Sequence, residues 1–437
     1  MLKTIKPLTI AAIVAAYAGI AAPGLARNAD TVTYTVEPGD TLYDITETYL
    51  VDGVNPARLQ EMNRVRNPRR LSINRTLTIP RNLLKYELVE LAVGDWTGPV
   101  TIDGSTPVRG TVLPVGAEIV TQRNGFITFT GSFGGRISLP SNTTAVLERA
   151  RRYRLYNTLD VDFDVQRGRA NATSPTLNGQ DRLRMRTPIA TTAVRGTEFR
   201  VAYDPENSDV SLTEVTEGAV QVAAGGATQP APAGFGVSSS SSGVGEPEAL
   251  LPAPAFIDLG AVQTEEALTF AFEPVDGAQG YRVQLARDLT FLDILAERIV
   301  TDQVAVFESV ENGRYHLRGR AISSSGLEGL SVSDGETSFL RKRVGVTADS
   351  ENSADLDAYI FRWLTAGGEG ATFAFQLWLE DAPENLLVDE VGLTSNEIAL
   401  SNLAIGKYAW RVAATETDPI DGMIKIWGPS TPLTVSN

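Results

Sequence analysis

The sequence predicts a multidomain, mainly β protein with one small mixed α/β module near its N-terminal end. Three observations predict it. Short runs alternating apolar and polar residues, broken by Gly, Pro, Asn and Asp, recur from residue 86 to residue 437. Period-two alternation marks strands with one buried face, and closely spaced turns mark sandwiches or barrels. Helical spacing is confined to two short stretches, Leu42, Ile45 and Tyr49, then Leu59 and Met62. At 437 residues the chain is also too long for one ordinary core.

Composition narrows the function classes. A hydrophobic content of 43% with 21% charged residues is that of a globular protein. A net charge of −15 argues against a general nucleic-acid binder, which needs a basic face for phosphates. The chain has no cysteine, which removes thiol nucleophiles, Cys-ligated zinc, disulfides and a lipoprotein anchor. Its single histidine, His316, lies in the strand-like run Tyr315-His316-Leu317-Arg318 and reads as an ordinary sheet residue. Triads and multi-histidine metal sites therefore lack their residues. A carboxylate-based lytic enzyme would need a helical or mixed catalytic domain, and none is visible. No enzyme activity, cofactor or metal is expected.

The first residues predict export. Lys3 and Lys6 precede the apolar stretch Leu8–Ala22, and Gly24-Leu25-Ala26 offers small residues for cleavage. Residues 1–26 read as a signal peptide, with an uncleaved anchor as the rival reading. No later segment is long and apolar enough to span a bilayer. The rest of the chain is expected in the periplasm or cell envelope, without a transmembrane span once the signal is removed.

Residues 31–82 form the mixed module. A strand through Tyr34 and Val36 meets Pro38-Gly39, which forces a turn. Asp40 or Thr41 then caps a helix starting at Leu42. A second helix follows Asn55-Pro56, and Leu77-Thr78-Ile79-Pro80 closes the module as a strand. The pieces Tyr34-x-Val36, Gly39-Asp40-Thr41-Leu42, Ile45, Asn55-Pro56, Leu59, Asn63, Leu71 and Leu77-x-Ile79-Pro80 together resemble the LysM family. The resemblance implies a βααβ fold that binds N-acetylglucosamine-containing glycans such as peptidoglycan. It implies a shallow groove between two loops, with Gly39, Asp40, Thr41 and Leu42 on one and Asn67, Pro68, Leu71 and Ile73 on the other. Loop geometry and backbone contacts are expected to matter more than side-chain identity. Where the family often has Gly-Gln, this chain has Asn74-Arg75; Asn tolerates the left-handed conformation. Arg58, Arg64, Arg66, Arg69, Arg70, Arg75, Arg81 and Lys85 also crowd this segment, with Glu61 among them. They suggest either an anionic partner, such as peptidoglycan stems or envelope phosphates, or a solvated face.

Residues 86–237 read as many short strands. Asn124–Phe129, Gly134–Leu139, Phe163–Ala170, Met185–Val201 and Val215–Val222 together resemble a FecR-type periplasmic domain, which implies a β-roll or sandwich. Family members of that name pass signals from an outer-membrane receptor to a sigma factor, through a cytoplasmic head and a membrane span. This chain instead reads as an export signal and a LysM-like segment before that domain, so the sigma-regulator role is not carried over and the resemblance implies an extracytoplasmic interaction domain. Asp160, Asp162 and Asp164 alternate along one strand and read as a solvated face or, alternatively, a calcium site.

Residues 238–255, rich in Ser, Pro and Gly, read as a linker. Residues 256–343 and 346–437 read as two copies of one plan. Phe270-Ala271-Phe272 corresponds to Phe361-Arg362-Trp363, Tyr281–Leu285 to Phe373–Leu377, and Gly313-Arg314-Tyr315 to Gly406-Lys407-Tyr408. About seven strands without cysteine suit immunoglobulin- or fibronectin type III-like β-sandwiches. The expectation is a non-catalytic peptidoglycan-binding envelope protein whose β domains present surfaces to a protein partner. The alternative is an extracytoplasmic component of envelope signal transduction.

Overall fold

A computed structural model describes residues 30–177, 179–194, 196–206, 209–265, 267–291, 293–331, 337–342, 345–353, 358–366, 371–418 and 422–436. The expected signal peptide, residues 1–26, lies outside the described residues. The chain divides into two compact units, one of residues up to 87 with 152–158, the other of 88–151 and 159 onward.

The first unit is βααβ: β1 (Thr31–Thr35), α1 (Leu42–Tyr49), α2 (Pro56–Met62) and β2 (Thr76–Pro80). β1 and β2 pair antiparallel, with Thr31 opposite Pro80 and Thr35 opposite Thr76. Alternation turns Val32, Tyr34, Leu77 and Ile79 inward, onto Leu42, Ile45 and Leu59 of the helices. The segment 152–158 adds Tyr153 and Leu155 to the same core.

In the second unit, the strands from Leu91 to Ala249 join in one sheet that closes on itself as a barrel-like roll. The 16-residue strand Thr158–Thr173 organises it. Its first half pairs parallel with Arg182–Arg186, and its second half pairs antiparallel with Glu198–Tyr203 and Arg136–Leu139. Gly196 and Gly218 are required where the backbone nearly touches itself. At Gly218 (φ +77°) a Cβ would stand 2.5 Å from the Gly196 carbonyl oxygen.

The aspartate ladder corrects both sequence expectations. Asp160 and Asp162 are fully buried, so the face is not solvated. The parallel register sets Asp160, Asp162 and Asp164 opposite Arg182, Arg184 and Arg186. Arg149 reaches Asp160 at 3.1 Å, Arg184 reaches Asp162 at 3.0 Å, and Arg186 also pairs with Asp162. Burial pushes the Asp162 carboxyl up, against the pull of Arg184 and Arg186. The positive charge facing the two buried carboxylates is supplied by arginine.

The expected linker is also corrected. Ser238, Ser239 and Ser240 end the strand Phe235–Ser240, which pairs with Val210–Glu217. Ser239 and Leu250 are buried. Small residues there make a close-packed strand, which composition alone cannot tell from a flexible tether.

Two sandwiches follow, each a three-stranded sheet on a larger one. In the first, Phe270 packs on Phe339 (5.2 Å between ring centroids) and Phe272 on Tyr281 (4.7 Å). In the second, Phe361 packs on Trp410 (4.9 Å) and Phe375 (5.0 Å). The internal repeat extends to polar side chains. Gln284 accepts from Arg318 at 2.8 Å and donates to Glu297 at 3.1 Å. Gln376 accepts from Arg411 at 2.9 Å and donates to Asp389 at 3.0 Å. The Tyr315 and Tyr408 hydroxyls each donate to the carbonyl four residues upstream, at Glu311 and Ala404.

The roll and the first sandwich share a buried ionic joint. Glu328 pairs with Arg169, Arg282 and Arg320. Its backbone N–H donates to Glu214 at 3.0 Å, and Arg200 donates to the carbonyls of Glu328 (2.6 Å) and Gly329 (2.9 Å). A second contact buries Phe126 against Ala286, Phe291 and Ile294.

Candidate functional site

The two loops of the βααβ unit are joined by a direct hydrogen bond. The Leu42 N–H donates to the Pro68 carbonyl at 3.2 Å. The first loop owes its shape to Gly39 at φ +95° and to Asp40. Asp40 Oδ2 accepts from the Tyr34 hydroxyl and from the Glu37 N–H, both at 2.7 Å. Burial, then the Asp40 contact, pushes the Tyr34 phenol well above its ordinary value. Thr41, rather than Asp40, caps α1: its Oγ1 accepts from the Asp44 N–H at 3.2 Å.

The second loop is built from α2 outward. Asn55 caps the helix by accepting from the Ala57 N–H at 2.8 Å, with Pro56 at its first position. Asn63 stitches the far end to β2. Its Oδ1 accepts from the Thr78 N–H at 2.6 Å, and its Nδ2 donates to the Thr78 and Leu59 carbonyls. Asn67 Oδ1 accepts from the Arg69 N–H at 3.1 Å, a side-chain turn that presents Pro68 to the first loop. Asn74 takes φ +63°, the left-handed conformation expected of it, and its N–H donates to the Val36 carbonyl at 2.9 Å.

The eight residues expected at the groove thus lie on two connected loops, in three different states. Gly39, Asn67 and Ile73 are exposed, Ile73 at 58%. Asp40, Thr41, Pro68 and Leu71 are half-buried. Leu42 is fully buried in the core, and its N–H is already taken by Pro68. Its side chain is therefore structural, as its helical spacing with Ile45 implies. Arg75 is structural too, donating from Nη2 to the Asn63 carbonyl at 2.7 Å and closing the end of α2.

Sequence reasoning missed one contributor. Tyr156, on the segment 152–158, stacks on Tyr34 with ring centroids 5.9 Å apart. Its hydroxyl accepts from the Thr35 N–H at 3.0 Å, covering the open edge of β1. Tyr156 and Asn157 both hold positive φ, 57° and 54°. Arg81 lies over the Tyr153 ring at 5.4 Å and pairs with Asp30. The available signal was Leu155-Tyr156, two large apolar residues in a turn that would ordinarily be polar.

Elsewhere the chemistry is quiet. His316 Nδ1 shares a 2.7 Å hydrogen bond with Ser338, and burial lowers its pKa. A shallow cleft of about 370 Å³, lined by Trp96, Pro99, Val100, Thr101, Thr106 and Gln122, holds no titratable side chain. No helix among the described residues is long and apolar enough to cross a membrane.

Comparison with known families agrees with this geometry. Residues 34–80 match the model of the LysM domain, and residues 117–221 match that of the FecR protein. No curated protein matches the chain. Among solved structures, the chain is similar to a Parabacteroides distasonis protein described as a candidate anti-sigma factor. That match has 15% identity and a TM-score of 0.25, covers 30% of this chain and spans 59% of that one. It is also similar to the FN1–FN3 domains of chicken CNTN1, with 14% identity and a TM-score of 0.23, over 57% of this chain and 95% of that one. Fibronectin(III)-like modules of Clostridium thermocellum CbhA match at 12% identity and a TM-score of 0.21, over 42% of this chain and 93% of theirs.

Proposed function

We propose that this chain is a non-catalytic, extracytoplasmic protein of the cell envelope that binds peptidoglycan through its LysM domain. The observation that carries the reading is the pair of loops joined from Leu42 to Pro68, within the segment 34–80 that matches the LysM model. On these loops Gly39 and Asn67 are exposed, and so is the apolar residue Ile73. Sugar rings present apolar faces with hydroxyl and amide edges, and such a surface complements both. The absence of cysteine and the single histidine, engaged by Ser338, support a binding role over catalysis. The roll and the sandwiches then serve as protein-facing surfaces.

A second reading is favoured by the FecR match over 117–221. Here the chain is the extracytoplasmic part of an envelope signalling system, and its partner reaches the membrane. The two readings are compatible, since a wall-bound protein can also report on the wall.

Hydrogen exchange on the full chain, with and without soluble muropeptides, tests the first reading. Protection is expected in residues 36–42 and 67–74. Protection only in the β domains would move the glycan site out of the LysM domain.

A further inference from the structure

From 34 to 80 the chain carries six arginines and six carboxylates, segregated in sequence. All carboxylates but Glu61 precede residue 53, and all six arginines follow residue 57. The acids nearest the groove already accept hydrogen bonds: Asp40 from Tyr34 and Glu37, and Asp44 from Thr41 at 2.6 Å. Of the cations, Arg75 is tied to α2, Arg81 to Asp30 and Lys85 to Asp52. Arg64, Arg66, Arg69 and Arg70 are different. All four are exposed, and none has an ion-pair partner among the described residues. Arg66, Arg69 and Arg70 flank Pro68, the residue that touches the first loop.

We infer that Arg66, Arg69 and Arg70 form an anion-binding lip on the LysM groove that engages the carboxylates of peptidoglycan stem peptides. This rests on the proposed glycan reading and adds what distinguishes the wall from a neutral N-acetylglucosamine polymer. A planar guanidinium matches a carboxylate with two parallel hydrogen bonds. A glycan strand held between the loops carries its stem peptides outward, within a Debye length of the groove rim. The first loop and the first turn of α1 carry Asp40 and Asp44, and the second loop carries the arginines, so the stem carboxylates fall on the arginine side. Each exposed pair is weak, but three acting together make an appreciable, salt-sensitive preference.

The test is co-sedimentation of the full chain with three solids: native sacculi, sacculi whose carboxylates have been amidated, and chitin. The expected result is about ten-fold tighter binding to native sacculi than to the other two, corresponding to a few weak ion pairs. Salt should erase the difference. The triple variant Arg66→Gln, Arg69→Gln, Arg70→Gln should bind all three at the chitin level. Equal binding of the unsubstituted chain to all three would overturn the lip while leaving the glycan reading intact. A preference that survives amidation but is lost when wall phosphates are stripped would also overturn it, by moving the ligand to phosphate. Binding to none of the three would overturn both the lip and the glycan reading.

Discussion

At the scale of single residues, Tyr156 shows what contact geometry adds to sequence. Its ring covers Tyr34 and its hydroxyl satisfies the Thr35 N–H, from more than a hundred residues away. An aromatic pair and a hydrogen bond together are worth about 1–3 kcal/mol. Tyr156→Ala should destabilise the LysM unit by that amount. Tyr156→Phe should cost about 1 kcal/mol, the hydrogen bond alone, and speed exchange of the Thr35 amide. Unchanged Thr35 exchange in both variants would show that the contact does not hold in solution. The residues of the first and second loops were legible because turn and cap chemistry is local: Gly39, Asn55 and Asn74 each behave as their types require. Leu42 was legible as a core residue from its helical spacing with Ile45. Arg75 was only half legible: its position could be read, but its bond to the Asn63 carbonyl depends on how α2 and the second loop fold together.

At the scale of elements, charge placement was the hard part. The run Asp160, Asp162, Asp164 gives no hint that a parallel neighbour will set an arginine opposite each aspartate. Nor does the Ser-rich stretch announce that it continues a strand. The sandwich repeat was legible, because alternating aromatics at matched spacing impose the same buried face twice. The Gln284 and Gln376 networks show that the duplication extends to polar pairs. The joint at Glu328 makes an element-scale prediction. Burial alone would raise its carboxyl pKa, but Arg169, Arg282, Arg320 and Arg200 hold it well below 4.5. A depressed folded-state pKa means the stabilisation is fully present above about pH 4.5 and is lost as pH falls toward the folded value. Glu328→Gln strands buried arginines and should cost about 3–5 kcal/mol at pH 7. The variant should also lose less stability than the parent between pH 5 and pH 3 in thermal unfolding. Equal acid sensitivity in both would place the labile group elsewhere.

At the scale of the whole molecule, the domain order and mainly β class follow from the period of the hydrophobic pattern. How the domains join does not, because the joint is made of buried charge and of small residues that composition reads as linker. The roll and first sandwich are fastened by the Glu328 network and by Phe126. The first sandwich also contributes Leu340 to the core of the second. The β domains are therefore a packed series rather than beads on a string, and a protein partner would meet a composite surface. In the proposed function the wall contact falls to the LysM domain, residues 34–80. The most direct measurement is co-sedimentation on insoluble peptidoglycan of the chain with and without residues 31–82. Binding that is lost with the deletion is the predicted result. Binding that persists without those residues would contradict the claim and place wall recognition in the β domains.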